Sequence, residues 1–377
     1  MKTIAWIIMV TKQCSHWAYL WIIYVPRLLV HFFRRTKYYK SPSYFPELPR
    51  KNMLHIISDQ LLHIIRYQRI EDFYFAYGLD IKNFRHSSDY VDYNVFKCFR
   101  DGRNRPSSKP FDYTGILRDK FYFNIFSKAI GFPSSSNVGL ISEGRIFILE
   151  TKKHLDLAEF FSKGQVDVFC KKIDAEDGKS IYSVARDGEL MNVNGDRLSL
   201  EQCCDLLSNG QWTVEQRIHQ HEIYASFHPA SVNTLRIYTA RDPHNGEIVT
   251  LPSIFRIGTN GRNVDNWARG GLIVELFEDG KLGKYAFYRP QYGLKTAEHP
   301  DSHIVFENFK LPYVAESFAM VKELHKFLYG IHSIGWDVAV TPDGPIVVEA
   351  NDNWEISANQ IASHGLQSEF RRLFINK

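Results

Sequence analysis

Little in this chain points to secretion, covalent stapling or thiol chemistry. Its 377 residues include five cysteines, Cys14, Cys98, Cys170, Cys203 and Cys204, whose spacing fits neither a metal site nor a disulfide framework. That usage fits a reducing cytoplasm, the expected location. No apolar run approaches the ~20 residues that a bilayer crossing needs. The first run, Ile4–Val10, is also short for a signal-peptide core, and no small-residue cleavage site follows it. No internal repeat or low-complexity tract is visible, and the basic residues are not gathered into one long run. Net charge is only +4, too mild to argue for a nucleic-acid partner. His219, His221 and His228 lack the cysteine or HExxH pattern that would complete a zinc site. No plausible cysteine or serine triad is visible.

What is present is ordinary in bulk. Hydrophobic residues make up 44% and charged residues 23%, as in a globular protein, and a chain of this length is expected to form two or three subdomains rather than one core. The first fifty residues are the least ordinary. Trp17–Val25 is apolar and aromatic, Pro26 breaks or kinks it, and Leu28–Phe33 leads into Arg34-Arg35-Thr36-Lys37. Such a segment can lie on an anionic membrane surface as a peripheral contact. The alternative, preferred here, is a helix that covers the main domain and hides Trp17, Trp21, Phe32 and Phe33. Pro42, Pro46 and Pro49 mark a loop. Met53–Tyr67 has Leu54, Ile57, Leu61, Ile64 and Ile65 at helical spacing. The chain reads as mainly helical to about Lys109.

From Asp112 strands enter. Arg118–Ile130 is an expected helix ending at Gly131. Asn137–Ile141 and Arg145–Glu150 read as strands, His154–Lys163 as a helix and Val166–Ile173 as a strand carrying Lys171 and Lys172. The polar loop 174–180, with Gly178 and Lys179, joins it to a strand at Ile181–Val184; such a loop can fold backbone N–H groups over phosphates. Further strands are expected at Thr213–Gln220, Ser231–Ala240, Ile248–Ile257 and Leu272–Phe277, with helices at Val314–Ile331 and Gln360–Phe374. In Ser231–Ala240 the alternation sets Asn233, Leu235, Ile237 and Thr239 on one face and Arg236 on the other.

The most informative stretch is Ile334–Glu355. Trp336–Thr341 and Pro345–Ala350 are rich in β-branched residues, and Pro342-Asp343-Gly344 between them has turn chemistry. A three-residue loop with Gly344 in the left-handed position would place Asp337 opposite Glu349, with Asn351 on the same face. Facing carboxylates repel. A divalent cation between them would reverse that effect, and carboxylates with an amide oxygen suit Mg²⁺ or Mn²⁺, which usually arrives with substrate phosphates.

The order of these parts resembles the ATP-grasp superfamily. The runs N-T-L-R-I, R-I-G, D-N-W-A-R-G-G and G-W-D…V-V-E-A-N-D-N-W are similar to the sugar-transfer-associated ATP-grasp family, and the active-site order is also similar to that of ribosomal-protein glutamate ligases. The resemblance implies an α+β fold with two lobes gripping ATP behind a mainly helical N-terminal region: 1–111 in front, 112–212 as the small lobe with its phosphate lid, and 213–377 as the large lobe. It implies Lys120 and one of Lys171 and Lys172 on the phosphates, Gly178 in the lid, and Glu215, Gln216, Arg217 and Ile218 on the hinge that meets adenine. It further implies Asp337, Glu349 and Asn351 as metal ligands, with Arg236, Arg256 and Asn266 facing the transferred phosphate and acyl acceptor. The activity implied is ATP-dependent joining of a carboxylate, small or sugar-linked, to an amine in surface-polysaccharide or sugar-conjugate synthesis. Phosphotransfer to a hydroxyl and ATP binding without turnover are the alternatives.

Overall fold

The structure is a computed structural model and describes residues 18–163, 166–173 and 181–375. Its N-terminal part is built from helices whose starts are set by side-chain caps. A π-helical turn at Tyr19–Tyr24 runs directly into helix α1, Val25–Arg34. Pro26 falls at the junction where the winding changes from π to α, so the expected break becomes a change of winding. Helix α2, Met53–Tyr67, opens on Asn52, whose side chain accepts from the His55 N–H. Helix α3, Tyr93–Asn104, opens on Asp92 in the same way. Val25 and Phe32 of α1 pack with Ile64 of α2 and with Ile70. Arg69 and His63 each lie 3.4 Å from Asp92, which ties α2 to the cap of α3. Short helix α4, Gly115–Arg118, precedes α5, Lys120–Ala129, which Asp119 caps.

The first sheet has, among the described residues, the order β3-β2-β1-β8-β4-β5-β6-β7, with neighbouring strands antiparallel. Its strands are β1 Asn137–Ser142, β2 Arg145–Ile148, β3 Lys153–Asp156, β4 Asp167–Lys172, β5 Ile181–Asp187, β6 Leu190–Val193, β7 Asp196–Leu198 and β8 Trp212–Gln216. The helix expected from His154 is shorter. Residues 153–156 pair with β2 as a strand, and only α6, Leu157–Ser162, is helical. Helix α7, Leu200–Ser208, starts with a capping box between Ser199 and Gln202. Cys170 and Cys203 are core residues beside Phe161, Val184 and Trp212, and burial pushes both thiols up, that of Cys203 to about 12.

The second sheet runs β13-β12-β11-β10-β9-β14-β15. These are β9 Thr234–Arg241, β10 Ile248–Ile257, β11 Leu272–Leu276, β12 Leu282–Phe287, β13 Lys295–Thr296, β14 Ser333–Thr341 and β15 Gly344–Asn351. Helix α8, Glu222–Phe227, precedes β9, and α9, Val314–Phe327, packs through Phe318, Val321 and Leu324 against Leu235, Ile237 and Trp336 on one face. Leu117 and Phe123 of α4 and α5 join that core. The other face, with Tyr238, Ala240 and Trp354, is covered by Tyr77 and Phe96 of the N-terminal part and by Phe370 and Phe374. The divisions drawn from the sequence therefore need adjusting at two places. Residues 115–129 pack on the second sheet, and Thr213 lies inside β8, a central strand of the first. The single helix expected at Gln360–Phe374 is broken into α10, Ser357–Ala362, and α11, Gln367–Phe370, followed by a π turn at Arg371–Ile375. Gly365 sits at the break because a Cβ there would lie 2.3 Å from the Asp89 carbonyl oxygen.

The β14–β15 hairpin pairs Asp337 with Glu349 as expected, by a different route. Thr341 pairs with Gly344, so the turn holds two residues, Pro342 and Asp343, rather than three. A one-residue bulge between Val347 and Glu349 then restores the pairing. Bulges re-aim side chains, and this one turns Glu349 to the face that carries Asp337.

Candidate functional site

The two sheets, α3 and the α4–α5 turn line a cleft of about 980 Å³. Lys120, Lys171, Lys172, Glu215, Gln216, Arg217, Ile218, Arg236, Arg256, Asn266, Asp337, Glu349 and Asn351 all line it. Residues 174–180, with Gly178 and Lys179, lie outside the described residues, as does Trp17.

At the floor is a buried charge network. Pairing of β9 with β14 sets Arg236 opposite Asp337, and β10 brings Arg256 alongside. Arg236 donates through Nε to Asp337 Oδ1 at 2.5 Å and through Nη2 to Oδ2 at 2.8 Å. Arg256 donates through Nη1 to the same Oδ1 at 3.0 Å and through Nη2 to Asp265 Oδ1 at 3.0 Å. Asp265 Oδ2 also accepts from the Thr234 N–H at 3.1 Å and from its hydroxyl. Burial works against the Asp337 charge, but the two guanidinium groups outweigh it and hold its carboxyl below the usual range. Burial likewise opposes the Arg256 charge, and Asp265 and Asp337 outweigh it and hold that guanidinium above its usual value. At Asp265 burial prevails over Arg256 and raises the carboxyl.

The repulsion expected between Asp337 and Glu349 is thus compensated by side chains. Asp337 faces two arginines, and Glu349 has Lys120 Nζ at 3.5 Å from Oε1. Lys120 reaches it from the first residue of α5, where the Asp119 cap fixes the backbone. Asn351 donates through Nδ2 to the Gly335 carbonyl at 3.4 Å.

On the opposite wall Lys171 Nζ lies 2.6 Å from Glu215 Oε2, an ion pair between β4 and β8. The stem of Lys172 instead lies against Gly210, close enough that a Cβ there would come within 2.8 Å of its Cε. The Glu215 carboxylate is buried, and its Oε1 has no hydrogen-bond partner among the described residues. Past it the N–H groups of Gln216 and Arg217 donate to Ser136 and Asp167 carbonyls, and the Arg217 side chain donates to Asp167 and Ser183. Asn266 accepts from the Ala268 N–H through Oδ1 and so caps the turn Trp267–Arg269 that leads to Gly270 at φ 94°.

Several lining residues were not singled out from the sequence. Asp265 stands beside Asn266 in the D-N pair, and its burial is visible only once β10 is in place. Asp352, two residues past Ala350, accepts from Arg118 at 3.0 and 2.8 Å and from Arg105 at 3.0 Å. Asn104 donates to the Asp352 carbonyl at 2.9 Å, and Arg100 to that of Trp354. Helix α3 therefore holds the loop that follows Glu349 and Asn351, a role for the N-terminal part that no local pattern announces.

Comparison with known proteins adds the following. The profile of the family described as sugar-transfer associated ATP-grasp matches residues 106–373. No curated protein matches the chain. Among solved structures it is similar to N5-carboxyaminoimidazole ribonucleotide synthetase from Thermotoga maritima at 13% identity and a TM-score of 0.36, over 68% of this chain and 48% of that one. It is similar to the ATP-grasp ligase PsnB, complexed with a precursor variant, Mg and ADP, at 11% identity and 0.37, over 70% and 57%. The VanG D-Ala:D-Ser ligase from Enterococcus faecalis is similar at 12% identity and 0.40, over 70% and 63%. The chain spans about half the length of the first of these, at 48%.

Proposed function

The chain belongs to the sugar-transfer-associated ATP-grasp family, and from that premise we propose that it is an ATP-dependent carboxylate–amine ligase working through an acyl phosphate. The observation that carries the reading is one cleft in which the Asp337–Glu349 pair, Asn351, Arg236 and Arg256 of one sheet face Lys171 of the other. We assign the first sheet to the small lobe and the second, with α4 and α5, to the large lobe. ATP would lie between them, with Lys171 and Lys120 on its phosphates and the loop containing Gly178 over them. The N–H groups of Gln216 and Arg217 are engaged within the sheet, so adenine would be met from Ile218 onward. Glu215 Oε1, without a partner among the described residues, could accept a hydrogen bond from a nucleotide donor.

A hard divalent cation, Mg²⁺ or Mn²⁺, fits the oxygen donors Asp337, Glu349 and Asn351, and when bound would neutralise phosphate charge during transfer. The reacting carboxylate and the ATP tail are both anionic, so cationic side chains must bring them together. Arg236 and Arg256 are aimed at this point by Asp337 and Asp265, which makes their positive charge preorganised. The substrate carboxylate oxygen attacks the γ-phosphorus, ADP leaves, and the acyl phosphate stays between the arginines. An amine then attacks the acyl carbon, phosphate leaves and the amine proton is lost. Asn266, at the cleft edge, is assigned to the acyl acceptor. We take the carboxylate to be a sugar-linked one, as the family description favours, and the work to be cytoplasmic.

Incubation with ATP, Mg²⁺, hydroxylamine and a panel of sugar and amino-acid carboxylates tests the proposal. A hydroxamate formed with matching ADP is the expected result. ADP with a stable phosphorylated product would make the protein a phosphotransferase, and no nucleotide turnover with any of them would leave it an ATP-binding protein.

A further inference from the structure

Helix α1 has two apolar faces, and the fold uses only one. Val25 and Phe32 point inward and pack with Ile64 of α2. Val30 and Phe33 of α1 are exposed on the other side, as are Tyr19, Ile22 and Ile23 of the π-helical turn that leads into it, Ile22 by 72% and Phe33 by 52%. A wide apolar arc bordered by cations is the pattern of a helix that lies in a membrane interface. Among the described residues no helix is long and apolar enough to cross a membrane.

Charge distinguishes the occupants of this face. The sequence contains no aspartate or glutamate before Glu47. Arg27, Arg34, Arg35, Lys37 and Lys40 are all exposed, and Arg27 and Arg34 border the apolar stripe. A second copy docked face to face would set these cations against their own kind without acids to offset them. An anionic lipid surface offers what the stripe lacks, phosphate charge above an apolar layer, and Tyr19, Trp21 and Tyr24 are residue types that favour that boundary. We propose that the outer face of α1 and of the π-helical turn before it lies on an anionic membrane surface and holds the protein there as a peripheral, non-spanning contact. The inward face meanwhile serves as the structural cover, so one helix does both tasks.

The test uses the full chain in sedimentation with phosphatidylcholine vesicles, with and without phosphatidylglycerol, at low and high salt. Binding should require phosphatidylglycerol and fall as salt rises. The triple variant Ile22→Ser, Ile23→Ser, Phe33→Ser should bind weaker on the order of a hundredfold, with thermal unfolding unchanged because those side chains are exposed. Arg34→Gln with Arg35→Gln and Lys37→Gln should remove most of the salt dependence and provides a second reading should the apolar variant fold poorly. No binding by the full chain, or binding undiminished in both variants, would overturn the proposal. So would a dimer of the full chain, seen by light scattering, that the apolar variant turns into a monomer without any vesicle binding.

Discussion

Asp337 and Glu349 face each other across one hairpin, yet their substitutions should differ sharply in what they do to stability. Glu349 is about a third exposed, and its ion partner Lys120 is 3.5 Å away. Exposed pairs of this kind are worth roughly 0–1 kcal/mol, so Glu349→Gln should leave unfolding within that range of the parent. Its turnover should nevertheless fall by roughly 10²-fold or more, about 2.7 kcal/mol in the barrier, because one charge at the cation is lost. Asp337 is 7% exposed and accepts from both Arg236 and Arg256. Asp337→Asn leaves the buried Arg236 and Arg256 without the carboxylate that both donate to, which should cost about 3–5 kcal/mol of stability. The pH dependence has a defined sign. A carboxyl held below its unfolded value of 3.8 stabilises the fold above that pH and loses its contribution as pH falls through its lower folded value. The penalty of Asp337→Asn should therefore be constant above about pH 5 and shrink only in the acid range below the unfolded value. Urea titrations and coupled ADP-release assays on both variants measure the two quantities. Glu349→Gln with near-full turnover and unchanged Mg²⁺ dependence would remove the cation site. Asp337→Asn with the parent's urea midpoint would refute the buried network.

Three further outcomes are expected. Lys171→Met should weaken nucleotide binding by roughly 10–100-fold, as losing a charge-assisted contact does, and far more than Lys179→Ala or Lys172→Met; equal small effects in a nucleotide titration would shift the role away from Lys171. Burial pushes His325 down to about 3 and His332 to about 4, so both are neutral when folded, whereas the unfolded chain takes up protons below 6.5. Stability should then fall as pH drops below that value, by up to about 1.4 kcal/mol per unit for each histidine, and equal urea midpoints at pH 7.5 and pH 5 would contradict their burial as neutral groups. Gly365→Ala should lower the thermal midpoint through collision with the Asp89 backbone, and an unchanged melt would show that the break after α10 yields easily.

The parts of the site that lie on one continuous stretch were legible in the sequence. Alternation placed Arg236 opposite Leu235 and Ile237, and turn chemistry placed Asp337 against Glu349. The hairpin still reached that pairing through a shorter turn and a bulge, since several turn and bulge combinations give one register. What depended on distant partners could not be read. Residues 153–156 are a strand because β2 is beside them, and the last helix breaks because Asp89 passes close to Gly365. Lys171 and Lys172 separate only when Glu215 arrives from β8, 44 residues on. The grip of Arg100 and Asn104 on the Asp352–Trp354 loop joins residues about 250 apart, and no period or motif encodes such a contact. Cover and membrane contact are both open to the N-terminal segment from its sequence, because only the packing of Val25 and Phe32 on Ile64 decides which side is buried.

The central claim is that ATP activates a carboxylate as an acyl phosphate, and oxygen transfer tests it most directly. A carboxylate substrate identified by hydroxamate formation would be labelled with ¹⁸O in both carboxylate oxygens and turned over with ATP, Mg²⁺ and its amine. Attack on the γ-phosphorus carries one labelled oxygen into the phosphate that leaves, so mass spectrometry should find one ¹⁸O in each inorganic phosphate alongside ADP. Unlabelled phosphate, or labelled AMP with pyrophosphate in place of ADP, would contradict the account.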